Sequence, residues 1–147
     1  MSSDLYSSRV LELAADIPHI GRLDAPDGHA HKVSRLCGSE ITLDVMLRGD
    51  TVVACAIEPK ACALGQAAAS VLTRHIVGAS ADEIIRARDQ FRAMLKDKGP
   101  PPEGRFWELR YLQDVADYPP RHTSALLAFE AAVTAVDMAL KKQKDLA

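Results

Sequence analysis

The feature that most constrains the fold is a pair of β-strand patterns joined by a tight turn. Apolar and polar residues alternate over 40–48, which is typical of a strand with one face in the core. Gly49-Asp50 follows as a two-residue turn, because glycine accepts the positive φ that hairpin turns require. Residues 51–58 are rich in β-branched side chains and predict the return strand, which Pro59 is expected to end. The chain is therefore expected to contain an antiparallel hairpin.

Helical patterns account for most of the remaining chain. Ser80-Ala81-Asp82-Glu83 has the form of a capping box, and Asp4 is the expected N-cap of a first helix whose apolar stripe begins at Tyr6. Helices are predicted over 4–16, 61–77, 80–98, 107–115 and 121–142, with one short strand within 20–35. Because strands cluster early and helices late, we expect an α+β fold in which a small antiparallel sheet of two to three strands packs against several helices. The length fits a single domain over 1–147.

Composition excludes several classes of partner. The net charge of the 147 residues is −2, and aromatic residues make up only 5% and do not interleave with basic ones, so no nucleic acid partner is expected. No apolar run reaches the length of a membrane span, and no cationic leader precedes an apolar segment. We therefore expect no membrane association and a cytoplasmic location. The odd number of cysteines argues for reduced thiols that serve packing, metal binding or sulfur chemistry.

The hairpin also predicts where two of the cysteines meet. With Arg48 opposite Thr51, continuing the register outward brings Cys37 and Cys62 to the same open end of the hairpin, although the ladder is expected to break before it reaches them. Cys62 also begins a predicted helix, where unpaired N–H groups should lower the pKa of its thiol. The same register places Cys55 opposite Asp44 in mid-strand, where a structural role is expected. The thiol pair would suit a shared metal ion, a persulfide relay or a disulfide.

Several short motifs then follow one another in an order that resembles a known family. The chain from about 37 to 136 resembles the IscU/NifU-like iron–sulfur cluster assembly scaffolds, and the SufU branch most. The resemblance rests on Cys37-Gly38-Ser39, Lys60-Ala61-Cys62, Gly78-Ala79-Ser80-Ala81-Asp82-Glu83 and Tyr118-Pro119-Pro120-Arg121-His122-Thr123-Ser124.

The resemblance implies a site for iron or an iron–sulfur cluster. In that family three cysteines and one aspartate form it, and Cys37 and Cys62 match the first two cysteines. Ser39 stands at the aspartate position and Ser124 at the third cysteine, so two of four expected ligands are hydroxyls, which hold iron or zinc less well than thiolates do. Arg121 matches a basic residue near the family's site and could attract an anionic persulfide or cluster.

Histidines could complete a metal site in this chain. His122 lies two residues before Ser124, and we predict it as a third metal ligand beside Cys37 and Cys62. His29 and His31 are alternatives, because their spacing puts them on one face of a strand. His75 and His19 are expected to be structural.

Three functions remain open at this point. The first is a scaffold that binds iron or a labile iron–sulfur cluster through two cysteines, supplied with sulfur by a cysteine desulfurase and delivering to apo iron–sulfur proteins. The second is a zinc-dependent acceptor of persulfide sulfur from a desulfurase, with Cys62 or Cys37 receiving the sulfur. The third is a metal-free adaptor that retains only the fold and its partner surface.

Overall fold

A three-stranded antiparallel sheet lies against four α-helices in the computed structural model, which describes residues 5–146. The strands lie in the order β1-β2-β3, and all strand neighbours are antiparallel. This architecture confirms the predicted α+β class. The elements are α1 (Ser8–Ala15), β1 (Gly28–Ser34), β2 (Ser39–Arg48), β3 (Thr51–Lys60), α2 (Ala63–His75), α3 (Ala81–Lys96), two 3-10 segments (Gly104–Asp117 and Pro119–Arg121) and α4 (His122–Leu146).

The β2–β3 hairpin forms at the predicted turn but contains a β-bulge. Arg48 pairs with Thr51 as expected, and the register then shifts between Met46 and Leu47. Val53 is the extra residue on β3, since Leu47 pairs with Val52 and Met46 with Ala54. The predicted register, which places Cys55 opposite Asp44, is therefore wrong beyond the bulge.

Beyond the bulge every pair is displaced by one residue. Leu43 pairs with Ile57, Ile41 pairs with Pro59, and Cys55 pairs with Val45 rather than Asp44. Because one residue of slip exchanges the two faces of a strand, the bulge is what turns Cys55 toward the core. The shifted register also does not place Cys37 opposite Cys62, so strand pairing is not what brings these two residues to the same end of the sheet.

The core lies between the inner face of the sheet and the helices. Alternate residues of β2 (Ile41, Leu43 and Val45) are fully buried, and they face α4, which also packs against α2 and α3. The segment Pro119–Leu146 is long and apolar enough to cross a membrane by composition, but 61% of its most apolar window is buried inside the protein. Its apolarity is therefore accounted for by its central place in the core.

The structure corrects two predicted element boundaries and confirms a third. α1 begins at Ser8 with Ser7 as its N-cap, and Tyr6 is exposed rather than part of the apolar stripe; the predicted cap Asp4 lies outside the described residues. Pro59 does not end β3, which an edge strand tolerates because the missing N–H costs no ladder bond there. The Ser80 capping box is confirmed, with Ser80 Oγ accepting from the Glu83 N–H at 3.1 Å.

Candidate functional site

Cys37 lies in the turn between β1 and β2, at one end of the sheet. The turn is closed by the Gly38 N–H, which donates to the Ser34 carbonyl at 2.8 Å, and Gly38 has a φ of 75° that favours glycine. The Cys37 side chain is exposed, and its thiol donates to Ser34 Oγ at 3.5 Å. Ser39, the first residue of β2, has its hydroxyl 3.0 Å from Cys37 Sγ. Two hydroxyls thus flank an accessible thiol.

Cys62 reaches the same place from a different element. It is the N-cap residue of α2, two residues after β3 ends at Lys60, and its side chain is half-buried. Its Sγ lies 3.2 Å from Ser124 Oγ, in the first turn of α4. The N-terminal ends of two helices therefore meet beside the turn that carries Cys37.

Ser39 and Ser124 connect the two thiols. Their hydroxyl oxygens are 3.4 Å apart, and both side chains are buried, with only 3% and 1% of each residue exposed. Cys37, Ser39, Ser124 and Cys62 consequently form one chain of hydrogen-bonded groups, with the sulfur atoms at its two ends and the hydroxyls beneath the surface. The structure brings these four residues together although two of them are remote along the chain.

Hydrogen bonding lowers the pKa of both thiols. When Cys37 ionises, the Ser34 hydroxyl, followed by that of Ser39, can donate to the thiolate, which lowers the pKa of Cys37 from 9.0 to about 6. Burial raises the pKa of Cys62, but the Ser124 hydroxyl and the N–H groups of Gly65 and Leu64 outweigh it, so the net pKa is below 9.0. The helix start predicted from the sequence thus acts on Cys62 through its free N–H groups.

The third cysteine is of a different kind. Cys55 is only 5% exposed in the hydrophobic core, and burial raises the pKa of its thiol to about 12. It is packed as a small apolar side chain, as expected for a buried cysteine. Cys55 therefore serves as an internal reference for experiments on the other two thiols.

The His122 ring is turned toward the preceding 3-10 segment. Its ring Nε2 lies 3.0 Å from the Val115 carbonyl and 3.2 Å from that of Ala116, and the residue is 7% exposed. Within residues 5–146 no group of three or more His, Cys, Asp or Glu side chains is placed to hold a metal ion. His122 ties the start of α4 to the preceding 3-10 segment, and its role as a third metal ligand stays a prediction.

The alternative histidines face carboxylates on the outer side of the sheet. His29 and His31 do share one face of β1, as their spacing predicted. His29 Nδ1 lies 2.7 Å from Asp44 Oδ1, and His31 Nε2 lies 2.9 Å from Glu40 Oε1. Arg121 lies half-buried in the 3-10 turn just before α4, and its predicted role in attracting an anion stays a prediction.

Two residues of the site were missed by sequence reasoning. Ser34 contacts Cys37. The two residues are three apart in a segment that ends in a glycine-containing turn, and this spacing was the signal that could have predicted the contact. Gly65 in α2 lets α4 approach: a Cβ there would lie 2.8 Å from Ala61 Cβ and 3.2 Å from Ser124 Oγ. No local pattern marks Gly65, since its need for a small side chain comes from the neighbouring helix.

The fold and the site together define a small α+β domain with two activated thiols at one end of its sheet, where a β-turn meets the starts of two helices. Comparison with known sequences identifies the family. The chain belongs to the NifU-like N-terminal domain family, whose sequence profile matches residues 5–144. The resemblance inferred from the motifs is confirmed.

Individual relatives agree with this assignment. The chain is 26% identical over 126 residues to the iron-sulfur cluster assembly scaffold protein IscU of Thermotoga maritima, covering 86% of this chain and 88% of that protein. The crystal structure of a nitrogen-fixing NifU-like protein (N-terminal) from Brucella abortus superposes with a TM-score of 0.93 at 45% identity, covering 95% of this chain and 97% of that one. A putative iron-sulfur cluster assembly scaffold protein for the SUF system from Fervidobacterium islandicum shares the fold, with a TM-score of 0.84 at 23% identity over 92% and 99% of the two chains.

Proposed function

We propose that this chain acts in iron–sulfur cluster assembly as a scaffold-like protein that holds iron or a labile cluster as cargo on Cys37 and Cys62. The convergence of Cys37, Ser39, Cys62 and Ser124 in one hydrogen-bonded cluster carries the proposal, because these are the four positions at which the family resemblance expects ligands. The relatives named as cluster assembly scaffolds support the same role. We place this activity in the cytoplasm.

The donor set predicts that the cargo is held weakly. Two thiolates are soft ligands suited to iron, whereas the Ser39 and Ser124 hydroxyls are poor ligands in their neutral form. Solvent or a partner's side chain would then complete the coordination. A scaffold with two strong ligands releases its cargo more readily than one with four, which suits delivery to apo iron–sulfur proteins.

A second candidate function is the acceptance of persulfide sulfur from a cysteine desulfurase. The exposure of Cys37 and the lowered pKa of its thiol favour it, because the thiolate is the form that attacks a sulfur donor. In the zinc-dependent version of this role, a bound zinc ion would keep the receiving thiol deprotonated. In this chain the Ser34 and Ser39 hydroxyls already lower the pKa of the Cys37 thiol, so less of its deprotonation would depend on zinc.

Anaerobic reconstitution tests these proposals. The reduced protein is incubated with Fe²⁺, cysteine and a cysteine desulfurase, then desalted and analysed for iron, labile sulfide, zinc and transfer to an apo-ferredoxin. We expect iron and sulfide to bind and transfer in the wild-type protein and in Cys55→Ala, and to be lost in Cys37→Ser and Cys62→Ser.

The remaining outcomes separate the alternatives. Stoichiometric zinc together with persulfide on Cys37 or Cys62 would favour the sulfur acceptor. A protein that binds the desulfurase but retains neither metal nor sulfur would favour the metal-free adaptor. Equal iron retention in Cys37→Ser, Cys62→Ser and Cys55→Ala would contradict binding at this site.

A further inference from the structure

The two surface thiols differ in access although they share one hydroxyl network. Cys37 is exposed in its turn beside Leu36, which is 72% exposed, whereas Cys62 is half-buried at the start of α2. A sulfur donor that approaches this end of the sheet therefore meets Cys37 first. Cys62 lies behind it, at the other end of the chain of hydroxyls formed by Ser39 and Ser124.

We propose that Cys37 and Cys62 form a dithiol pair that releases sulfide from sulfane sulfur. Cys37 receives the sulfur as a persulfide, and Cys62 then displaces it as sulfide by forming a Cys37–Cys62 disulfide. This inference rests on the proposed function, because it assumes that sulfur is delivered to this site. It goes further by assigning different roles to the two thiols and by giving the site a reaction of its own.

Both steps balance without an external reductant in a single turnover. First, the Cys37 thiolate attacks the outer sulfur of a donor persulfide, so that the donor leaves as a thiolate and Cys37 carries an S–SH group. Second, the Cys62 thiolate attacks Cys37 Sγ, the S–SH bond breaks, and HS⁻ leaves as the Cys37–Cys62 S–S bond forms. The two cysteines are oxidised together by two electrons, and those electrons reduce the sulfane sulfur to sulfide. A further turnover needs a dithiol reductant to reopen the disulfide.

The serine replacements favour this outcome over further sulfur relay. In the hydrogen-bonded network that contains Cys37, Cys62 is the second thiol. Ser124 stands where the family resemblance implies a third cysteine, so a persulfide on Cys37 has Cys62 as its thiol partner in this network. The serine hydroxyls do not take the place of a thiol in this reaction, because thiolates are the nucleophiles in thiol–disulfide exchange. Cys55 is buried in the core and does not compete. Because the disulfide removes both thiolates, the site can hold iron only after a dithiol reductant has reopened the Cys37–Cys62 bond.

The test follows one turnover in the metal-free protein. Reduced protein is mixed anaerobically with one equivalent of glutathione persulfide, quenched with iodoacetamide over time, and analysed by peptide mass spectrometry and by a sulfide assay. We expect sulfide release to match the appearance of a Cys37–Cys62 disulfide in the wild-type protein and in Cys55→Ala. Cys62→Ser should stop at a persulfide on Cys37, with sulfide release reduced to background. Circular dichroism checks that this nearly isosteric variant is folded.

Each alternative result is decisive. A wild-type persulfide that lasts as long as that of Cys62→Ser, or that moves to Cys62 without a disulfide, overturns the dithiol reaction. If the same protein still retains iron and sulfide in the reconstitution assay, the proposed function stands without it. If no persulfide forms on either thiol and no iron is retained, the dithiol reaction and the proposed function both fail.

Discussion

Removal of the hydroxyls beside Cys37 should raise the pKa of its thiol. Ser34 and Ser39 are the two largest causes that lower this pKa from 9.0 to about 6. A hydrogen bond to a charged group is worth about 1.5–3 kcal/mol where solvent is excluded. Because Cys37 is exposed, we expect each serine hydrogen bond to lower its pKa by only about one pH unit. The double variant Ser34→Ala/Ser39→Ala should therefore move the midpoint of Cys37 ionisation upward by about two pH units.

The midpoint of the pH profile is the quantity to measure. A thiolate of higher pKa is also the stronger nucleophile, which offsets much of the lost thiolate fraction at any single pH. Alkylation of Cys37 by iodoacetamide is followed by peptide mass spectrometry from about pH 5 to about pH 10, a range that spans the expected midpoints. The exposed serine Ser8 on α1 supplies the control, Ser8→Ala, whose midpoint should match the wild type.

The same shift predicts how stability varies with pH. The pKa of Cys37 is lower in the folded than in the unfolded protein, so its hydrogen bonds contribute stability that is fully present above 9.0 and lost as the pH falls through about 6. In the alkylation profile, a wild-type midpoint of Cys37 ionisation near 9, or a midpoint that does not move in the double variant, would refute Ser34 and Ser39 as the cause of the lowered pKa.

Three further predictions concern the site and the core. Ser124→Cys should increase iron retention after anaerobic reconstitution, because a third soft ligand joins the site; no increase would argue against the placement of Ser124. Gly28→Ala should lower the free energy of unfolding in urea by about 1–3 kcal/mol, since its Cβ would clash with the Ala135 carbonyl of α4, and an unchanged midpoint would show that this contact relaxes. Phe129→Ala should cost about 3–5 kcal/mol in the same assay, because Phe129 is fully buried and packs edge-on against Phe91 at 5.6 Å; a loss below about 1 kcal/mol would contradict that packing.

Much of the fold was predictable because its signals are local. Alternation over 40–48, the Gly49-Asp50 turn and the Ser80 capping box each act within a few residues, so they indicated the hairpin and the start of α3 correctly. The β-bulge at Val53 has no such signal, and the predicted register was wrong beyond it. The sequence predicted that Cys37 and Cys62 lie at the same end of the sheet, but it attributed this to strand pairing. In the structure the two residues are connected through the hydroxyls of Ser39 and Ser124.

The sequence by itself determined the order of strands and helices and which residues carry the thiols, because periodicity, turn chemistry and residue type are short-range properties. Only the tertiary structure decided what surrounds those thiols. The packing of α4 on the sheet and on α2 brings Ser124 to Cys62 and to Ser39, and turns His122 toward the 3-10 segment. These contacts join elements far apart in the chain, and their geometry depends on how whole faces fit together, which no local pattern records.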